Sequence, residues 1–148
     1  MDTHFDKLTI IGVGLIGGSF ARVCQKKGIA GSIVGFGRQE ANLRKALELG
    51  VIDEYSLDLN EAVKQADFVL VAVPVGSIFP LVKKMISSLK KGSIISDVGS
   101  VKGSLVEKIE KILPDDVHFV GAHPIAGTEN SGVEASFAEL FEGSKCIL

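Results

Sequence analysis

Hydrophobic residues follow two alternating patterns along this chain. Short runs rich in valine, isoleucine and phenylalanine end at glycine, aspartate or proline, and stretches follow in which apolar residues recur every three or four positions. The runs are typical of β-strands and the stretches of amphipathic helices. The runs predict strands near residues 7–11, 32–36, 53–57, 67–73, 93–96, 117–121 and 145–148. The stretches between them predict helices near residues 16–27, 40–49, 60–65, 78–89, 105–113 and 133–141.

The order of these elements indicates the fold class. Residues 68–73 form an unbroken apolar run, which is typical of a strand buried on both faces of a parallel sheet. Strands that alternate with helices require right-handed crossovers, so we predict an α/β fold with a doubly wound, mainly parallel sheet. Pro80 fits the fourth helix only if it lies in the first turn.

Length and composition narrow the class of protein. With 148 residues the chain is expected to be one domain, residues 1–148, large enough for a hydrophobic core. A net charge of −2 gives no electrostatic basis for binding nucleic acid or an acidic membrane surface. The longest apolar run is too short to cross a bilayer and the charged amino terminus lacks the apolar core of a signal peptide, so we expect a cytoplasmic protein. Cys24 and Cys146 lie in apolar surroundings and are expected to be buried free thiols.

The first predicted strand runs directly into a G-x-G-x-x-G motif, formed by Gly12, Gly14 and Gly17. In a strand–turn–helix context such glycines allow a tight turn, the approach of a pyrophosphate to the backbone, and close packing of the helix on the sheet. The amides of the first helical turn, which begins with Leu15 and Ile16, would face the phosphates. The motif predicts a Rossmann-type dinucleotide-binding domain, and the alternative is a glycine-rich turn in an unrelated α/β unit.

Gly37 and Arg38 follow the second predicted strand, where an NAD-binding domain usually has an acidic residue for the ribose hydroxyls. Glycine leaves room for a 2′-phosphate and arginine can pair with it, so we expect NADP or NAD as the cofactor, with NADP slightly favoured. Alternatively, Arg38 is a solvated residue in front of a helix. Glu40 is close enough to complicate this choice, although the helix dipole equally favours an acid in that first turn.

Further loops follow the carboxyl ends of the later strands, which is where ligands bind in open parallel sheets. Val73 and Pro74 begin a rigid turn that could lie along the cofactor. Ser100 stands in a glycine-containing loop in which backbone and hydroxyl groups could approach a ligand. Asp97, at the start of that loop, could simply anchor it by accepting backbone hydrogen bonds.

The last loop, residues 121–132, is polar and contains His123. Pro124 restricts the histidine to an extended backbone, which limits the movement of its ring. Both a catalytic and a structural histidine are compatible with this position.

Four stretches of the sequence match the motifs of a known family: GVGLIGGS at 12–19, AVP at 72–74, DVGSVK at 97–102 and GAHPIAGTENSG at 121–132. On these stretches the chain resembles prephenate dehydrogenase, within the larger group of cyclohexadienyl and arogenate dehydrogenases. The last two motifs are the more specific ones, and all four occur in the right order. The resemblance implies a helical domain that follows this one, completes the substrate site and forms a homodimer; that domain is absent from this chain.

The resemblance also implies an activity: oxidative decarboxylation of prephenate to 4-hydroxyphenylpyruvate, with hydride transfer to NAD(P), in tyrosine biosynthesis. His123 would accept the proton of the substrate's hydroxyl group, and Ser100 would hydrogen-bond to the histidine or to that hydroxyl near the nicotinamide. Glu129 would shape or gate the substrate entrance. No metal is expected. The implied cofactor site comprises Gly12, Gly14, Leu15, Ile16, Gly17, Gly37, Arg38, Val73, Pro74 and Ser100.

Three alternative functions stay open at this point. The chain could belong to an arogenate dehydrogenase, to another dehydrogenase of the same fold that acts on a hydroxy or imino acid, or to a non-catalytic module that senses a nicotinamide cofactor. Dehydrogenases of the second kind usually rely on a lysine from a later helical domain, so His123 argues against them. A sensing module would need only the glycine motif and would leave Ser100 and His123 without a function.

Overall fold

A six-stranded parallel sheet forms the centre of the molecule. The computed structural model describes residues 4–100 and 103–148. In the sheet the strands lie in the order β3-β2-β1-β4-β5-β6, and every neighbouring pair is parallel. The strands are β1 (Phe5–Ile11), β2 (Ala30–Phe36), β3 (Glu54–Ser56), β4 (Phe68–Val71), β5 (Ile94–Asp97) and β6 (His118–Val120).

Within the described residues, five helices connect these strands. They are α1 (Leu15–Lys26), α2 (Glu40–Glu48), α3 (Leu59–Val63), α4 (Val75–Met85) and α5 (Gly103–Ile112). The first two helices end where the sequence indicates, because Gly28 (φ +63°) and Gly50 (φ +72°) adopt the left-handed conformation that closes a helix. None of the helices within the described ranges is long and apolar enough to cross a membrane.

The hydrophobic core lies on both faces of the sheet. One cluster packs β-strand residues such as Val69 and Val71 against α3, α4 and α5. The other packs Leu70 against residues of α1 and α2. Adjacent residues of β4 thus enter opposite clusters, as expected for a strand buried on both faces. The predicted α/β class and the doubly wound sheet are confirmed.

Strand order reverses at β1, which pairs with β2 on one side and β4 on the other. Ile11 is in register with Phe36 and with Val71, so the three strands end at the same level. Ligands of open α/β sheets bind in the crevice at such a switch point. The topology therefore brings the loops after β1, β2 and β4 to one edge of the sheet.

The segment 133–141 differs from the predicted helix: only Val133–Ala135 forms a single 3₁₀ turn. A helix would need the amide of Phe137 to bond to the carbonyl of Val133. Instead that amide donates to the hydroxyl of Ser19 (3.0 Å), and the Val133 carbonyl accepts from the backbone and hydroxyl of Ser136. Tertiary contact with α1 thus outcompetes the helical hydrogen bond.

Two short strands lie apart from the main sheet. β7 (His123–Ile125) and β8 (Lys145–Ile147) form a two-stranded antiparallel sheet. A strand near 145–148 was predicted, but its antiparallel partner was expected to be a loop. Cys146, in β8, is exposed, so the expectation that both cysteines are buried is wrong for this one. Cys24 is buried in α1, and burial raises the pKa of its thiol to about 11.

The position of Pro80 also differs from the expectation. α4 begins at Val75, so the proline is the sixth helical residue and lies beyond the first turn. A proline leaves the carbonyl four residues earlier, here that of Gly76, without its helical donor. Gly76 is exposed, so water can satisfy that carbonyl. The helix continues past the proline to Met85.

Candidate functional site

A cleft of about 610 Å³ opens where β1, β2 and β4 end. Five of the residues predicted to bind the cofactor line it, together with one face of α4. The lining residues are Ile11, Gly12, Phe36, Gly37, Arg38, Val73, Pro74, Gly76, Ser77, Pro80, Leu81 and Lys84. The cleft therefore lies at the topological switch point, where the fold class predicts a ligand.

Gly12 makes the turn out of β1 in a conformation that favours glycine (φ +92°). A β-carbon at this position would overlap the carbonyl oxygen of Ala72 and lie 3.0 Å from Cγ1 of Val73. Ala72 and the turn itself are held by the sheet, because the amide of Ala72 donates to the carbonyl of Ile11 (2.7 Å) and that of Gly12 donates to the carbonyl of Phe36 (2.9 Å). Any side chain here would push the turn away from β4.

The other two glycines of the motif have opposite surroundings. A β-carbon on Gly17 would overlap the carbonyl oxygen of Gly12 and lie 2.9 Å from a methyl group of Ile10, so Gly17 permits close packing of α1 on the sheet. A β-carbon on Gly14 would meet no atom within 4 Å. The space beside Gly14 is therefore open to a ligand.

Gly14 precedes α1 as its N-cap and provides no side-chain cap. The first helical residues, Leu15 and Ile16, are half-buried. Amides of a first helical turn have no partner within the helix, and the helix dipole adds partial positive charge there. The open space beside Gly14 thus borders a group of donors suited to a phosphate.

Arg38 and Glu40 follow β2 but have different environments. Arg38 is exposed at the rim of the cleft and forms no ion pair within the described ranges. The Glu40 carboxylate accepts hydrogen bonds from the hydroxyl of Tyr55 (2.9 Å) and from Arg44 (3.2 Å). The Tyr55 bond and the Arg44 charge lower the pKa of this carboxyl. Glu40 is therefore engaged beside β3, and Arg38 faces the cleft.

A second group of residues lies at the ends of β5 and β6. The fully buried carboxylate of Asp97 accepts hydrogen bonds from the amide of Gly99 (2.9 Å) and from that of Ala122 (3.1 Å). Sequence reasoning expected Asp97 to anchor its own loop, and the bond to Ala122 shows that it also joins the next segment. The one sequence feature that hinted at this second bond was the position of an aspartate at the end of a buried strand.

His123 follows Ala122 and begins β7, where it pairs with Ile147 of β8. His123 is half-buried and lies in a strand, where the sequence predicted a loop. Its extended backbone agrees with the restriction from Pro124. Ser100 is exposed at the same edge of the sheet. In the part of the chain that the structure describes, no hydrogen bond joins Ser100 to His123.

The remaining predicted positions lie at the surface or beyond the described residues. Glu129 is exposed in the irregular segment between β7 and the 3₁₀ turn. Val101 and Lys102, the last two residues of the DVGSVK motif, lie outside the described residues. Across the described ranges, no three His, Cys, Asp or Glu side chains come together as metal ligands.

Sequence comparison identifies the family. A family model described as "Prephenate dehydrogenase, nucleotide-binding domain" matches residues 20–148. This chain belongs to that family. The match extends from the first helix to the end of the chain and includes the segments that contain Ser100 and His123.

Individual relatives agree with this prephenate dehydrogenase assignment. A cyclohexadienyl dehydrogenase of Zymomonas mobilis is 39% identical over 146 residues, which cover 99% of this chain and 50% of that protein. Among solved structures, the prephenate dehydrogenase of Aquifex aeolicus, in complex with hydroxyphenyl propionate and NAD+, is 39% identical with a TM-score of 0.89. The alignment covers 99% of this chain and 51% of that one.

A third relative has a different named substrate. The arogenate dehydrogenase of Synechocystis is 31% identical with a TM-score of 0.86, and the alignment covers 95% of this chain and 48% of that one. The chain spans about half the length of each of these three proteins.

Proposed function

We propose that this chain is the nucleotide-binding half of a prephenate dehydrogenase. The enzyme oxidises prephenate with loss of carbon dioxide, yields 4-hydroxyphenylpyruvate and serves tyrosine biosynthesis. One observation carries the proposal: the glycine turn follows β1 and the His123 segment follows β6, so both leave the carboxyl ends of strands in one parallel sheet, in a chain that belongs to the family. The Aquifex relative is solved in complex with hydroxyphenyl propionate and NAD+, which supports both the proposed cofactor and the proposed class of substrate.

The chain's own residues fit a dinucleotide. The amides at Leu15 and Ile16 and the open space beside Gly14 suit the diphosphate. The cleft between Arg38 and α4 suits the adenosine half, and the nicotinamide then points towards the β5 and β6 ends. When bound, NAD(P) accepts the hydride that leaves the substrate ring.

His123 accepts the proton of the substrate hydroxyl as the ring is oxidised. General-base assistance of this kind contributes roughly 10²–10⁴ to the rate of a reaction. Its half-buried position and strand backbone restrict the ring, which is a requirement for a positioned base. Ser100 hydrogen-bonds to the substrate hydroxyl or to the histidine once substrate is bound, and Glu129 shapes the substrate entrance.

The cofactor site favours NADP at least as much as NAD. Arg38 is exposed at the cleft and unpaired within the described ranges, whereas Glu40, the nearby acid, is engaged by Tyr55 and Arg44. An arginine–phosphate pair contributes roughly 1.5–3 kcal/mol, or about ten- to a hundredfold in affinity. We expect Arg38→Ala to lower the affinity for NADP by about that factor and to change NAD binding little. Equal losses, or a native preference for NAD measured by calorimetry, would reject this preference.

A second domain supplies the rest of the enzyme. We propose that it is helical, carries the cationic groups for the substrate carboxylates and forms the homodimer contact. The chain's coverage of about half of each relative is consistent with this arrangement. Arogenate remains a second candidate substrate because the Synechocystis relative bears that name.

Turnover and binding assays test the proposal. The isolated chain should bind NAD(P) yet turn over prephenate poorly, whereas the protein extended by the second domain should turn over prephenate or arogenate with saturation. Robust turnover by the 148 residues alone would contradict the division between domains. Absence of nucleotide binding to the chain would contradict the proposal as a whole.

A further inference from the structure

One wall of the cleft is formed by a face of α4. Ser77, Leu81 and Lys84 recur on it at spacings of four and three residues, as expected for one side of a helix. Arg38, in the loop after β2, also lines the cleft. The cleft therefore contains two cations, one from a loop and one from a helix.

The charges around the cleft are of one sign only. None of the described residues that line it carries a carboxylate, and its two charged residues are Arg38 and Lys84. Both are exposed, and neither forms an ion pair within the described ranges. A cleft with two such cations favours an anionic ligand.

Lys83 provides an internal comparison on the same helix. Both lysines belong to the last turn of α4, where positive charge interacts favourably with the helix dipole. That general reason applies equally to the two residues. Only Lys84, however, lines the cleft, and its position there is left unexplained by the dipole.

We propose that Lys84 is a specificity-determining residue that binds, together with Arg38, the 2′-phosphate of NADP. The inference rests on the proposed function, because it assumes that the cleft holds the adenosine half of the cofactor. A phosphate monoester carries about 1.5–2 negative charges at pH 7, so two cations balance it better than one. The 2′-hydroxyl of NAD carries no charge, so Lys84 discriminates between the two cofactors.

Two nucleotides that differ only in this phosphate test the proposal. Affinities for 2′,5′-ADP and 5′-ADP are measured by titration calorimetry with the native chain, Lys84→Gln, Lys84→Arg and the matched control Lys83→Gln. Lys84→Gln should lose about three- to tenfold affinity for 2′,5′-ADP and less than about twofold for 5′-ADP. Lys84→Arg keeps the charge and should retain the preference, and Lys83→Gln should resemble the native chain.

The possible failures separate the two proposals. If the native chain binds neither nucleotide, the proposed function fails and this inference fails with it. If both nucleotides bind but Lys84→Gln weakens them equally, or behaves like Lys83→Gln, the specificity role of Lys84 is wrong and the proposed function stands. Circular dichroism of each variant checks that a loss of binding is not a loss of folding.

Discussion

The two halves of the candidate site differ in how tightly the chain packs around them. At the glycine turn, Gly12 and Gly17 have no side chains, so the turn lies directly against Ala72 and α1 lies directly against the turn and β1. At the histidine segment, β7 and β8 form a separate two-stranded sheet in which Ile125 and Ile147 are 50% and 55% exposed. The glycine turn thus belongs to the core of the domain, whereas the strand that begins with the proposed base, His123, is more exposed. Stability and catalysis should therefore be separable by mutation.

One link between the halves lies at the ends of β5 and β6. β5 and β6 pair in the main sheet, and beyond their ends the buried carboxylate of Asp97 bonds to the amides of Gly99 and Ala122. These hydrogen bonds help to hold the Ser100 and His123 segments in relation to the main sheet.

The largest effect is expected for His123→Asn in the protein that contains both domains. Loss of the base should lower kcat by roughly 10²–10⁴, while the Kd of NAD(P) should change less than about twofold. Steady-state kinetics and calorimetry measure the two quantities. His118→Asn is the matched control, because His118 is an exposed histidine on β6, and it should retain native kcat. Retention of kcat in His123→Asn, or its loss through weak cofactor binding, would show that the histidine is structural.

Gly17→Ala tests the tightly packed half. The added methyl group would overlap the carbonyl oxygen of Gly12, and backbone atoms cannot move aside as a flexible side chain can. We expect a loss of about 1–3 kcal/mol in the free energy of unfolding, measured with urea.

Gly14→Ala is the control for that change, because its methyl group would meet no protein atom within 4 Å. The variant should lose less than about 1 kcal/mol of stability, yet bind nucleotide more weakly because the methyl group occupies space proposed for the diphosphate. Equal stability losses in the two variants would contradict the packing difference between them.

Asp97→Asn tests the link between the halves. Asparagine has one side-chain oxygen, so its NH₂ group would face the backbone N–H of either Gly99 or Ala122. That backbone N–H would then lose its acceptor. We expect a loss of about 1–2 kcal/mol in stability and a roughly tenfold lower kcat in the two-domain protein, with an unchanged nucleotide Kd. Asp115→Asn, at an exposed aspartate, is the control. A stability loss without any change in kcat would limit Asp97 to a structural role.

The smallest effect is expected at the amino end of β4, at the other end of the strands from the candidate site. There Asp67 accepts hydrogen bonds from the amides of Asp6 (2.7 Å) and Lys7 (3.1 Å) and from Lys90. The Lys90 bond is the main cause that lowers the pKa of this carboxyl. A lowered pKa means that its stabilisation is present above the unfolded pKa of about 4 and is lost as the pH falls through the folded pKa.

Asp67→Asn should therefore lower Tm by at most about 3 °C at pH 7, and the difference from the native chain should shrink below about pH 4. Nucleotide affinity should stay native, because the proposed nucleotide cleft lies at the carboxyl ends of the strands and Asp67 lies at the amino end of β4. Thermal unfolding between pH 7 and pH 3 measures the effect, and a difference that is as large at pH 3 as at pH 7 would exclude the ionised carboxylate as its cause.

Local sequence determined most of the secondary structure and the sheet. Apolar runs and helical periodicity depend on neighbouring residues, so strands, helices and the glycines that end α1 and α2 could be predicted within a few residues. The glycine motif could also be interpreted from the sequence. A β-carbon is excluded at Gly17 by atoms of the same strand–turn–helix unit, and at Gly12 by residues that follow the adjacent strand. Family membership followed from motifs that are contiguous in sequence.

Tertiary structure alone decided features that depend on residues far apart in the chain. The segment 133–141 has helical periodicity, but Ser19 captures the amide of Phe137 across 118 positions and prevents the helix. Lys84 and Arg38 line one cleft although they are far apart in the chain, and the hydroxyl of Tyr55 binds Glu40 but not Arg38. Such contacts leave no periodic pattern in the sequence, because each depends on how separate elements dock and not on the conformation of any one of them.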